Sequence, residues 1–145
     1  MSMERLVLHE YARSGNCYKI RLTAAHVGAA LERREYDIMR GETRTPAFLA
    51  QINANGRIPV LQVGDRFLPE SNAACWYLAS GTPLVPEDRF AQADVLRWTF
   101  WEQYNHEPTS PRCASGSAGS ARRTSTHSSA PPCRSSARPA SPRSG

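Results

Sequence analysis

Residues 110–145 contain no Ile, Leu, Val, Met, Phe, Tyr or Trp. A segment with nothing apolar to bury cannot offset the entropy lost when its backbone is ordered. The core of this chain must therefore come from residues 1–109, enough for one ordinary domain and an extra element. The tail is dominated by Ser, Ala, Arg, Pro and Gly, which take over abruptly after Pro108. These residues have GC-rich codons, and Lys19 is the single lysine in a chain with 18 Lys and Arg together. The expectation is a disordered low-complexity tail over 108–145, produced by a shift of reading frame in a GC-rich gene. A natural Ser/Pro/Arg linker is the alternative.

The same division locates the charge. A formal net charge of +5 points, taken alone, to a nucleic-acid partner. Yet residues 1–109 hold 12 basic and 13 acidic side chains, so the excess lies in Arg112, Arg122, Arg123, Arg134, Arg138 and Arg143. No aromatic interleaves with those arginines to stack on bases, so a solvated basic segment is expected and no nucleic acid. The N-terminal MSMERLVLHEY has too short an apolar run for a signal peptide. No stretch approaches the length of a bilayer span either, so the reading is cytoplasmic with no membrane partner. Cys17, Cys75, Cys113 and Cys133 form no metal-ligand pairs. Free thiols and no metal follow.

Along the first 109 residues the pattern gives an ordered series of elements. Leu6–Leu8 reads as a short buried strand, and a helix begins after Ser14 and stops at Gly28. Cys17, Ile20, Ala24 and Val27 fall on one face of that helix. Leu31 to Ile38 carries a second strand whose charges place it at an edge. Thr45-Pro46 starts a short helix, with proline where its missing N–H costs little. Ile58–Val63 and Arg66–Leu68 flank Gly64-Asp65 as a hairpin, and Glu70-Ser71-Asn72 opens a helix to about Leu78. This order implies an α/β fold: a mixed four-stranded sheet with helices on both faces. Residues 81–87 read as a linker after a domain over 1–80. A further helix, Asp88 to Asn105 within a segment 88–107, carries Phe90, Ala93, Leu96, Phe100, Trp101 and Tyr104 on one face, leaving Val95 and Trp98 outside it.

Three constellations carry chemistry. Ser14-Gly15-Asn16-Cys17 lies where a strand hands over to a helix, and a helix N-terminus stabilises a thiolate held there. A serine at the first position cannot be the thiol nucleophile, but it can donate a hydrogen bond to another molecule's thiolate. The plain alternative is that Ser14 caps the helix. Gly56-Arg57-Ile58-Pro59 precedes a strand; with a cis bond at Pro59, the Ile58 backbone can pair with an extended peptide ligand. The alternative is a trans proline opening an edge strand. Glu70-Ser71, at a strand-to-helix junction, can take an amino group and a carboxylate, or simply cap. Cys17 and Cys75 read as core thiols.

Together, YARSGNCYKIRL (residues 11–22), NANGRIPVL (53–61) and PESNA (69–73) resemble the N-terminal domain of bacterial cytosolic glutathione transferases over about residues 5–105. The resemblance implies a thioredoxin-like domain that uses glutathione as co-substrate and activates its thiol for attack on small electrophiles. By the same resemblance Ser14 is the catalytic residue, and Ile58 before cis-Pro59 pairs with the cysteinyl backbone. Glu70 and Ser71 bind the γ-glutamyl end, and Arg57 reaches the glycyl carboxylate. It also implies detoxification chemistry, an all-helical domain of which only the first helix is legible here, and a homodimer where that domain is intact. Two other readings stand beside it. One is a glutathione-binding module without efficient turnover. The other is a glutaredoxin-like thiol reductase, against which serine at position 14 argues.

Overall fold

The computed structural model describes residues 5–109. The expectations for the tail from Ser110 onward lie outside the described residues. Pro108 and Thr109, counted with the tail on composition, complete a 3-10 turn.

Strands β1 (Leu6–Glu10), β2 (Glu32–Glu35), β3 (Val60–Val63) and β4 (Arg66–Pro69) form one sheet in the order β2-β1-β3-β4. β1 and β2 are parallel, as a crossover through helix α1 (Gly15–Val27) requires; β3 runs antiparallel to both β1 and β4. Helices α2 (Pro46–Gln51), α3 (Ser71–Ala79) and α4 (Arg89–Trp101) complete the described elements together with short 3-10 and π turns.

The ends of α1 follow from its sequence. Ser14 Oγ accepts from the Cys17 N–H at the N-cap, and Gly28 closes the C-terminus at φ 70°, which glycine adopts freely. Cys17, Ile20 and Ala24 are buried as their spacing requires, while Val27 is only half-buried at the rim. One face of the sheet, with Leu8, Leu61 and Val63, packs against Ile20 and Ala24 of α1 and Ala74 and Leu78 of α3. Thr45 caps α2 by accepting from the Phe48 N–H, with Pro46 in the first turn. The buried Phe48 packs edge-on to Tyr36, their ring centres 5.1 Å apart.

Some boundaries differ from the sequence reading. β2 is confined to Glu32–Glu35 and exposed throughout; the Tyr36 N–H still donates to the Glu10 carbonyl at 2.8 Å, and the chain turns away from Asp37 onward. Ile58 and Pro59 precede β3 instead of belonging to it. β1 extends through His9 and Glu10, both fully buried despite their polarity. α4 ends at Trp101, giving way to a π turn over Glu102–His106. Its apolar face points away from the domain: Phe90, Phe100, Trp101 and Tyr104 are exposed, and Val95, placed outside that face by periodicity, is half-buried. The reason is the surface offered to α4. Asn16, Lys19 and Asn72 project from α1 and α3 and bond Glu107, Glu102 and the Thr99 carbonyl, so the contacts at the C-terminal end of α4 and the turns after it are polar.

Candidate functional site

A cleft of about 510 Å³ opens beside the start of β3 and the N-termini of α1 and α3. Arg57, Ile58, Pro59, Glu70 and Ser71 all line it, so the two downstream motifs converge on one place. The Ile58–Pro59 peptide bond is cis. Asn53 and Gly56 shape the approach to it. Asn53 Nδ2 donates to the Arg57 carbonyl at 2.9 Å, and the Asn55 N–H donates to Asn53 Oδ1 at 3.0 Å, an Asx turn that fixes this corner. Gly56 sits at φ 60°, and a Cβ there would lie 3.0 Å from the Thr43 carbonyl oxygen and 2.8 Å from Arg44 Nη1. The corner therefore needs glycine for both conformation and space.

Glu70 is the single non-glycine residue with positive φ among the described residues, at 71°. A side chain in that conformation costs about 1–3 kcal/mol, strain that accumulates at ligand sites. Glu70 occupies the N-cap position of α3, yet its side chain makes no capping bond. Capping therefore does not account for its carboxylate. Ser71 is buried, and its hydroxyl donates to Asn16 Oδ1 at 3.4 Å.

Ser14 does not line the cleft; it stands at the N-cap of α1, two residues before Asn16, which does. Its Oγ accepts from the Cys17 N–H at 3.4 Å, so the capping role is realised. Capping uses the oxygen as acceptor, and the hydroxyl proton remains a donor. Its neighbour Cys17 is fully buried. Burial pushes that thiol up, with hydrogen bonds from Ser14 and the Tyr11 N–H pulling partly the other way. A buried neutral thiol is a weak acceptor, whereas a thiolate draws a much stronger, charge-assisted bond. Burial raises the Cys75 thiol as well. Neither cysteine has the electropositive, accessible setting of a reactive thiol. No group of three potential metal ligands occurs among the described residues, and no helix there is long and apolar enough to cross a membrane.

A family profile described as glutathione S-transferase, N-terminal domain, matches residues 6–80, more than half of the 145-residue chain. The chain belongs to the glutathione S-transferase family. It is similar to a possible glutathione S-transferase from Rhodopseudomonas palustris at 48% identity and TM-score 0.68, over 71% of this chain and 50% of that one. A glutathione transferase homologue from sulfitobacter, solved with bound glutathione, is 25% identical at TM-score 0.63, over 70% of this chain and 50% of its own. Human glutathione S-transferase theta-2 is 38% identical over 78 residues, which cover 51% of this chain and 32% of the human protein. The chain thus spans about half the length of these solved relatives and a third of the human one.

Within this glutathione S-transferase fold, six polar residues that line the cleft were not singled out from the sequence as ligand-binding: Asn16, Thr43, Arg44, Asn53, Gln103 and Glu107. Asn16 and Asn53 lay inside motifs already singled out, with no ligand role given to either. Gln103 and Glu107 come from beyond the matched domain and reach back: Asn16 Nδ2 donates to Glu107 Oε1 at 2.8 Å, and Gln103 Nε2 to Glu107 Oε2 at 3.2 Å. Nothing in the spacing of a single helix announces such a contact.

Proposed function

We propose that this cleft binds glutathione and that the domain activates its thiol for transfer to a small electrophile. The observation that carries the reading is the convergence of Arg57, Ile58, Pro59, Glu70 and Ser71 on one cleft from two separate motifs. Glutathione offers an ammonium group, two carboxylates and a peptide backbone. Glu70 is matched to the ammonium, Ser71 to the γ-glutamyl carboxylate, the Ile58 backbone to the cysteinyl unit, and Arg57 to the glycyl carboxylate. Family membership and a glutathione-bound relative support the choice of ligand. Serine at position 14 and the buried Cys17 leave the thiol chemistry to the ligand, which weighs against a thiol reductase.

In the proposed step, the Ser14 hydroxyl and the N-terminus of α1 stabilise the glutathione thiolate. The thiol proton passes to solvent, and the sulfur forms a bond to an electrophilic carbon as that carbon's leaving group departs. A free thiol has a pKa of about 8.5, and each unit of depression asks for roughly 1.4 kcal/mol of preferential thiolate stabilisation. A hydroxyl bond to a charged group supplies about 1.5–3 kcal/mol. Replacing Ser14 by Ala is expected to raise the bound thiol's pKa by about one to two units while leaving glutathione affinity nearly intact. An ultraviolet thiolate titration reads this directly, and an unchanged titration removes Ser14 from catalysis.

Glu70→Ala acts on binding instead. Losing the partner of an ammonium group is expected to weaken glutathione by about 1–3 kcal/mol, or roughly 5- to 150-fold in Kd. Calorimetry on both chains tests it; equal affinities refute the assignment. Conjugation of a generic aryl halide by the unaltered chain then separates a transferase from a module that binds without turnover.

A further inference from the structure

The contacts that hold α4 against the domain are polar and few. Lys19 Nζ lies 2.9 Å from Glu102 Oε2, with 23% and 29% of the two side chains exposed. Asn72 Nδ2, which has two hydrogens, faces three acceptors: Glu102 Oε2 at 3.1 Å, the Thr99 carbonyl at 3.2 Å and Gln103 Oε1 at 3.3 Å. Glu102 is thus the point where one cation and one amide meet. Burial alone would raise its carboxyl, yet its bonds to Lys19 and Asn72 hold it below the usual range. Five residues on, after the π turn, Glu107 takes the amide hydrogen of Asn16 in the cleft. A π turn places residues five apart on one side, so Glu102 and Glu107 face the domain together.

We propose that the Lys19–Glu102–Asn72 seam is a latch that sets ligand affinity from outside the cleft. Closed, it keeps Glu107 on Asn16, and the Asn16 amide is then fixed with Oδ1 toward Ser71. Open, Gln103 and Glu107 leave the cleft wall, and Asn16 loses the partner that orients it. Lys19 and Glu102 act here as positioning residues, since neither lines the cleft. Phe90, Leu96, Trp98, Phe100 and Trp101 of α4 are exposed and Val95 is only half-buried, so the polar seam dominates the latch's equilibrium.

This inference rests on the glutathione reading, and the experiment separates the two. Calorimetry with glutathione is run on the full chain, Glu70→Ala, Lys19→Met, Lys19→Arg and Glu102→Gln. It is repeated with Lys19→Met and Glu102→Gln in an Asn16→Ala background. Lys19→Met and Glu102→Gln are each expected to weaken glutathione about five-fold, Lys19→Arg to retain most of the affinity, and both losses to shrink toward zero once Asn16 is Ala. A variant that loses its far-ultraviolet circular dichroism is set aside for the other, which breaks the same seam from the opposite helix. Losses that persist undiminished without Asn16, or no loss at all, overturn the latch while binding that falls in Glu70→Ala upholds the site. No binding by the unaltered chain overturns both.

Discussion

Replacing Arg21 by Ala is expected to lower the unfolding free energy by about 3 kcal/mol, more than any surface substitution in this chain. Glu10 ends β1 with its side chain fully buried, bonded at Oε2 by Arg21 and at Oε1 by Arg33. Arg33 lies half in solvent on the edge strand, whereas Arg21 is three-quarters covered. Without Arg21, one carboxylate oxygen is left in the interior with neither cation nor water, and breaking a buried pair costs about 3–5 kcal/mol. The remaining Arg33 bond places the expectation at the lower end. Urea unfolding measures the loss, and a change below about 1 kcal/mol shows that water or Arg33 takes over. The double replacement Glu10→Met with Arg21→Met should recover most of it, because removing a whole buried pair is often neutral. The triad also bears on function. Arg21 Nη2 donates to the Ala12 carbonyl at 3.2 Å, and the Ala12 N–H donates to Glu35 Oε1 at the same distance, anchoring the loop that delivers Ser14.

That triad marks the limit of what the sequence discloses. Short-range signals were fully legible: Ser14 and Gly28 bound α1, Thr45 and Pro46 open α2, and Gly64-Asp65 joins the hairpin. Each depends on residues within one turn of the chain, where capping and φ preferences decide the outcome. The candidate site was legible to the extent that its residues sit beside such signals, as Pro59 does after the turn and Glu70 and Ser71 at the start of α3. The first strand reads only as far as Leu8 because the polarity of His9 and Glu10 is local information, while the partners that permit their burial arrive from α1, β2 and β3. The docking side of α4 was not legible for the same reason. Periodicity identifies an apolar face, but which face meets the domain depends on Asn16, Lys19 and Asn72.

His9 yields the second large effect, and its hydrogen bonds fix its protonation. Gln62 Nε2 donates to the Gly64 carbonyl at 2.8 Å, so its Oε1 is the atom that faces His9 Nε2, 3.0 Å away. His9 Nε2 must then carry the proton, and Nδ1 accepts from the Tyr36 hydroxyl at 2.9 Å. The neutral ring is satisfied on both sides and wedged between Tyr36 and Phe67, each ring centre 5.7 Å from its own. Burial accordingly lowers its pKa below the ordinary 6.5, opposed by the Gln62 bond and reinforced by the charge of Arg34. The unfolded chain therefore binds a proton on this ring at a higher pH than the folded one. Its contribution to stability is complete above about pH 6.5 and is lost as pH falls from there toward the folded-state value, with a slope of at most about 1.4 kcal/mol per pH unit. His9→Phe keeps the ring's bulk but strands the Tyr36 hydroxyl and the Gln62 carbonyl oxygen, an expected loss of about 2–4 kcal/mol at pH 7. Tyr36→Phe, which removes only the donor to Nδ1, should cost about 1 kcal/mol. Unfolding curves between pH 7 and pH 5 provide the decisive comparison. The unaltered chain should lose stability steadily across that window and His9→Phe much less; equal slopes in the two chains would show that His9 is not the group that titrates.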